Sequence, residues 1–244
     1  MTANVSGLLT RSDIWLGRQW QHDNQSISSG FTRLDQHLAG QGWPQHGVVE
    51  LVGPMQTMGM ADDVDAAVSL GLTDLLLPVL AAHQDSERWQ LCVAPPAPPH
   101  APAWAAAGVD LARFVWVEAE CRKERLWTLE HSLNSGRCSV ILAWLDSLSA
   151  SEARRLQLAA QKGQCLLFLH LPESVLAEHH AVALRLGLVP ESQGCTVQLI
   201  KQRGGWPQPD LALALPHRPE RVPRPGMALP QKSASAAGVV QGPW

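Results

Sequence analysis

Residues 47–63 read GVVELVGPMQTMGMADD, an apolar run closed by Gly53-Pro54 and followed by methionines and two aspartates. Val48, Val49, Leu51 and Val52, bracketed by Gly47 and Gly53, predict a buried strand. A strand that ends in Gly-Pro and leads towards a helical segment stands where a phosphate-binding loop would stand. Such a loop works through G-x-x-x-x-G-K-[ST]: backbone N–H groups cradle the phosphates, the lysine reaches the β/γ oxygens and the hydroxyl holds Mg²⁺. Here five residues separate Gly53 from Gly59, Met60 follows, and no lysine is present. Asp62, Asp63 and Asp65 bring negative charge to where a polyphosphate would lie. A like charge in place of a charge-assisted bond reverses the sign of a contribution of about 1.5–3 kcal/mol per contact. The stretch predicts the opening strand of an α/β domain and argues against nucleotide chemistry.

Working outward, WQLCVAPP (89–96), FVWVEAE (114–120), CSVILAWLD (138–146), CLLFLHLP (165–172) and CTVQLIKQR (195–203) predict five further strands. The run at 138–146 is apolar on both faces, as a central parallel strand is. Between the strands lie helical patterns. Leu72, Leu75, Leu76, Val79 and Leu80 form a helix stripe, which Pro78 must kink or restart. APAWAAAGVDLAR predicts a helix ending at Gly108. CRKERLWTLEHSLNSG predicts one stopped by Gly136, with Leu126, Leu129, Glu130 and Leu133 on one face. SASEARRLQLAAQKG is capped by Ser149 or Ser151, and ESVLAEHHAVALRLGL is helical at least in part. The alternation predicts a doubly wound, mainly parallel sheet with helices on both faces.

Three regions are expected: a tryptophan-bearing arm (1–25), the α/β core (26–215) and a disordered Pro-rich basic tail (216–244). The arm holds Trp15 and Trp20 in the amphipathic stretch RSDIWLGRQWQH, either packing on the core or anchoring a partner. The tail sets Arg218, Arg221, Arg224 and Lys232 against Glu220, a net +3, so the other 215 residues carry −6 and the whole chain −3. The body is not a generic nucleic-acid binder; the tail is a solvated linker or makes a weak, salt-sensitive contact with DNA.

Cys92, Cys121, Cys138, Cys165 and Cys195 are dispersed, without C-x-x-C or zinc spacing. They predict buried free thiols in a reducing cytosol. No apolar stretch reaches the ~20 residues of a membrane span, and the opening residues are too polar for a signal peptide. A cytoplasmic protein with no membrane partner is expected. His179 and His180 follow Glu178 but lack H-E-x-x-H spacing, which predicts a solvated helix face rather than a metal site. No nucleophile elbow occurs, and Ser147 and Ser149 read as helix caps. No catalytic residue, metal or cofactor is expected.

Residues 26–54, SISSGFTRLDQHLAGQGWPQHGVVELVGP, resemble the approach to the core of RecA-type recombinases. Gly30, Leu34, Asp35, Leu38, Gly42, Pro44, Gly47, Glu50, Gly53 and Pro54 fill that pattern. The likeness continues through AAAGVDLARFVWVEAE, LNSGRCSVILAW and TVQLIKQR, covering roughly residues 26–203. Within that group the tryptophans of the arm, APPAPPHAPAWAAAGVDLAR and IKQRGG look most like ImuA, the damage-inducible accessory family of bacterial translesion synthesis, itself related to SulA-type division inhibitors.

The resemblance implies a RecA-like doubly wound sheet with a degenerate nucleotide site. Trp144 stands where a metal-ligating aspartate belongs, Asp146 lies two residues on, and VAPPAPP offers no water-activating glutamate. It implies a non-catalytic accessory protein of SOS-induced mutagenic synthesis, bridging RecA to an ImuB-type polymerase-like adaptor and an error-prone DNA polymerase III alpha subunit. Lys201 and Arg203 match a lysine pair that reaches across the recombinase subunit interface; they form a solvated strand end or a RecA-docking surface that caps the filament. The alternative is a SulA-type SOS division inhibitor that binds FtsZ. A third reading, an ATPase with Asp146 as metal ligand, needs another cation in place of the lysine.

Overall fold

The computed structural model describes residues 26–54, 72–83, 86–191, 194–205 and 208–215. The arm and the tail, with Trp15, Trp20, Gly59 and Met60, lie outside the described residues. Strand β1 (Ser26–Ile27) pairs antiparallel with β2 (Trp43–Pro44), and helix α1 (Thr32–His37) lies between them in the chain. The opening run becomes β3 (Gly47–Val52), all six residues buried. Helix α2 (Leu77–Ala82), β4 (Trp89–Val93), α3 (Ala101–Ala106), β5 (Phe114–Val117), α4 (Arg122–Ser135), β6 (Cys138–Trp144), α5 (Ala150–Lys162) and β7 (Leu166–Leu171) follow. The described chain closes with β8 (Leu184–Glu191), β9 (Gly194–Gln202) and β10 (Leu211–Ala214).

Local chemistry accounts for the helix ends. Pro78 restarts rather than kinks: a 3-10 turn over Leu72–Leu75 precedes α2, whose first turn holds the proline, where a missing N–H costs nothing. Gly136 ends α4 in the left-handed conformation (φ 66°), its N–H returning to Leu133 O. Ser149 and Glu152 cap α5 reciprocally. Arg122 reinforces this cap, its guanidinium 2.5 Å from Glu152 and holding that carboxyl down at about 2. Where α5 ends, a Cβ on Gly163 would come within 1.9 Å of Leu133 O, so only glycine admits the two helix ends so close together.

The eight main strands run in the order β10-β9-β8-β3-β7-β6-β4-β5. One face packs Val49, Leu51, Trp43, Phe168, Leu142, Leu76, Leu80 and Trp104 under α1 to α3. Trp43 meets Phe168 edge-on, with ring centroids 5.1 Å apart. The other packs Val48, Ile141, Leu167 and Leu169 under Leu126, Leu129 and Leu133 of α4 and Leu156 and Ala160 of α5. Cys92, Cys138, Cys165 and Cys195 are buried free thiols, and Cys121 is exposed. Burial pushes the thiols of Cys92, Cys138 and Cys165 up, which keeps them unreactive.

The expected RecA-like doubly wound sheet is corrected here: the sheet is mixed. Strands β8, β3, β7, β6, β4 and β5 are parallel, but β9 pairs antiparallel with β8 and β10 antiparallel with β9. The alternation stops after β7, where the chain makes only a 3-10 turn (Glu173–Ala177) before β8. Residues 184–188, the end of the segment expected to be helical at least in part, lie in strand β8. Leu184 and Leu188 stand four apart and read as helix, but Leu186 between them completes a period of two, and all three are buried. Among the described residues no helix is long and apolar enough to cross a membrane.

Candidate functional site

Gly53 N donates to Leu171 O at 3.1 Å, and a Cβ at Gly53 would stand 2.6 Å from Leu188 O. This glycine admits the backbone of β8, so its role is packing. Trp144, at the expected metal-ligand position, is buried and stacks on His170 with centroids 4.8 Å apart and planes 4° apart. Asp146 is not on the strand; it lies beyond the end of β6, exposed, 3.4 Å from Arg125. Among the described residues no group of three His, Cys, Asp or Glu side chains could hold a metal ion.

Neither Trp144 Nε1 nor His170 Nε2 has a hydrogen-bond partner among the described residues. Burial lowers the His170 pKa to about 4, so the folded protein holds a neutral ring. The unfolded chain takes up that proton near pH 6.5. The contribution is therefore fully present above pH 6.5 and is lost as pH falls towards 4. Urea midpoints should show about 2 kcal/mol less stability at pH 5 than at pH 7 from this group. His170→Phe should flatten the slope by that amount, whereas an unchanged slope would show that His170 is charged or accessible when folded.

Glu50 of β3 anchors a buried polar cluster that the residue pattern of 173–188 does not reveal. Glu50, fully buried in β3, accepts from Arg185 Nε of β8 at 2.5 Å, and its other oxygen lies 2.6 Å from His180 Nδ1, which Arg185 Nη2 also approaches at 2.7 Å. Arg185 Nη1 also donates to Glu178 O at 2.7 Å. His180 is thus a buried carboxylate partner, not part of a solvated helix face. Lys201, on β9 and paired in register with Arg185, donates from Nζ to His180 O at 2.5 Å. Arg203 follows β9, and its backbone N donates to Ala183 O. The structure thus places Lys201 beside the Glu50 cluster, with its ammonium committed to holding the 178–180 turn. A helical reading of residues 173–188 cannot match Glu50 with Arg185, because only a strand at 184–191 brings the two side by side.

The exposed apolar residues lie elsewhere. β5 is an edge strand, and among the described residues no strand pairs with its outer side. Leu111, Val115 and Trp116 at this edge are exposed, as is Trp89 on neighbouring β4, with Trp116 42% exposed. Trp127 on α4 is 65% exposed and stacks on His131. An unpaired strand bearing large apolar side chains, without lysine or proline within it, is suited to docking another protein. The geometry thus describes a mixed α/β domain whose buried polar groups tie strands together and whose exposed apolar residues include a group at the β5 edge, with Leu158, Leu176, Val189 and Ile200 exposed elsewhere.

Comparison with known proteins gives the family. The model for SulA, cell division inhibitor SulA, matches residues 62–167. A cell division inhibitor SulA from Photorhabdus laumondii is 34% identical over 104 residues, covering 43% of this chain and 59% of that protein. One from Edwardsiella piscicida is 33% identical, covering 42% and 61%. One from Citrobacter koseri is 32% identical over 115 residues, covering 47% of this chain and 67% of that protein. The crystal structure of SulA from Pseudomonas aeruginosa is 26% identical, with 51% of this chain and 97% of that chain covered and a TM-score of 0.38. The chain belongs to the SulA cell division inhibitor family. It spans about 60% of the length of the first of these relatives.

This overturns the principal functional expectation. The match is to SulA, not to a translesion-synthesis accessory of the ImuA family, and the roles with RecA, an ImuB-type adaptor and a polymerase fall with it. The RecA-like reading falls too: the sheet is mixed, and Gly53 and Trp144, two of the positions on which it rested, are packing groups.

Proposed function

We propose that this protein is an SOS-type inhibitor of cell division that acts by binding FtsZ, with the β5 edge as its docking surface. The observation that carries the reading is where the SulA match falls. Residues 62–167 include β4, β5, α4 and β6, and so contain Trp89, Val115, Trp116 and Trp127, whereas Lys201 and Arg203 lie outside. Edge pairing supplies backbone hydrogen bonds, and tryptophans supply the large, rigid contact area that dominates interface energetics.

Expression of the full chain should give long, undivided cells. In sedimentation, the purified protein should lower the pelleted fraction of FtsZ polymer in proportion to its concentration. Cells of normal length, together with unchanged FtsZ pellets at excess protein, would sink the proposal.

A further inference from the structure

Strands β8, β9 and β10 bury only one of their two faces. Leu186, Leu188, Cys195, Val197, Leu211 and Leu213 belong to the layer under α1 to α3. Alternation sends Gly187, Val189, Thr196, Gln198, Ala212 and Ala214 to the opposite side. There they stand level, with Gly187 beside Gln198, Val189 beside Thr196 and Thr196 beside Ala212. Ile200 joins them, since a Cβ at Gly187 would stand 3.3 Å from its Cδ1. The core under α4 and α5 includes no residue of these three strands. Ala212 and Ala214 are exposed, as are Val189 at 45% and Ile200 at 43%.

The chain enters the described structure beside this face. Ser26 lines the same cavity as Gln202 and Arg203, at the end of β9 that holds Ile200. Ile200 lies about 7 Å from Gln202 along that strand. Residues 23–25 span up to about 10 Å, so the stretch before them reaches the face. In that stretch Leu8, Leu9, Trp15, Leu16 and Trp20 fall within about 140° of arc at helical spacing, with Arg11 and Arg18 on the other side. A helix over residues 8–22 is about 22 Å long, against about 14 Å from Thr196 to Ile200. Residues 216–244 fit this face poorly. They follow β10 at its far end, where Ala214 pairs with Gly194, and Pro216, Pro219, Pro223 and Pro225 break any helix there.

We infer that residues 8–20 of this chain dock as an amphipathic helix on the open face of β8, β9 and β10. Trp15, Leu16 and Trp20 meet Val189, Ile200 and the two alanines of β10. The alanines keep that side of the face low, so an indole lies flat on it, and the contact is driven by the apolar area it removes from water. The short link to Ser26 holds the arm at an effective concentration of about a millimolar, so even a small contact area suffices. None of this rests on FtsZ binding: β8, β9 and β10 lie outside residues 62–167, and the contact is read without a division protein.

The test puts p-benzoylphenylalanine in place of Ile200 in the full chain and irradiates the dilute purified protein. Trypsin releases residues 12–18, SDIWLGR, as one peptide, and the cross-link should join it to β9 within a single chain. Trp15→Ser with Leu16→Ser should cut that product at least about tenfold, through loss of two apolar anchors. Ala212→Arg, at an exposed position on the face, should do the same from the other side. The photo-probe in place of Val115 on β5 should give no such product. Absence of the cross-link from position 200, a cross-link to residues 216–244 in its place, or a product that joins two chains and rises with protein concentration would each overturn the assignment. So would an undiminished yield in both variants, or an equal yield from position 115.

Discussion

Arg185→Met should destabilise the folded domain by about 3–5 kcal/mol, measured by urea unfolding at neutral pH. The substitution keeps most of the side-chain volume but removes the guanidinium that sits 2.5 Å from Glu50 and 2.7 Å from Glu178 O. What remains is a carboxylate with no exposure to water, held only by His180. The cost is chiefly the desolvation of that unpaired charge, because the hydrogen bond itself is worth less in net terms than the charge left behind.

The double variant Glu50→Met with Arg185→Met separates these causes. Removing both charges should recover most of the loss, since a buried ion pair is often no more stabilising than well-packed apolar groups. If the double variant is as unstable as Arg185→Met alone, the cluster matters for shape rather than charge. Lost stability of this size is a large fraction of the ~5–15 kcal/mol that holds an ordinary domain, so the single variant should also accumulate poorly in cells.

The second large effect concerns the docking edge. Trp116→Asp should weaken the action on FtsZ by at least about 100-fold, read as the concentration that halves the FtsZ pellet; that is about 2.7 kcal/mol, within the range of an interface hot spot. Two causes act together. The large aromatic contact is lost, and a carboxylate placed on an edge strand opposes strand addition, as charged edge residues do in natural sheets. Trp116 is 42% exposed, so the fold should lose far less than the interface, and the unfolding midpoint checks this. Trp127→Ala, on the neighbouring helix, tells how far the surface extends. A Trp116→Asp protein that still clears FtsZ at the wild-type ratio would move the docking site away from β5.

Much of the secondary structure was legible in the chain. The six-residue apolar run at Gly47–Val52, the fully buried run at Cys138–Trp144 and the stripe of Leu126, Leu129 and Leu133 ending at Gly136 all formed as their spacing requires. Each depends on local pattern alone: period two or continuous burial for strands, 3.6 for helices, and a left-handed residue that only glycine adopts easily.

What was missed has a common cause. Residues 184–191 carry leucines at 184, 186 and 188, a spacing that satisfies both periods, and the choice was made by two neighbours distant in sequence, β3 and β9. A helical reading of that segment cannot set Arg185 beside Glu50, and it leaves His180 on a solvent face. Chain order could not reveal that β8, β9 and β10 turn back on one another, because helices alternate with strands only as far as β7.

The sequence by itself determined that this is an α/β domain with two apolar layers, and that four of its five cysteines lie in the core, because these follow from residue type and short-range spacing. Only the tertiary structure decided that the sheet is mixed, that Glu50, His180, Arg185 and Lys201 form one cluster, and that the Gln157 amide ties Val48 to Ala183. Those are contacts between residues up to 135 positions apart. Their energies come from burial and from the partners that meet there, and neither is encoded in any stretch of the chain read alone.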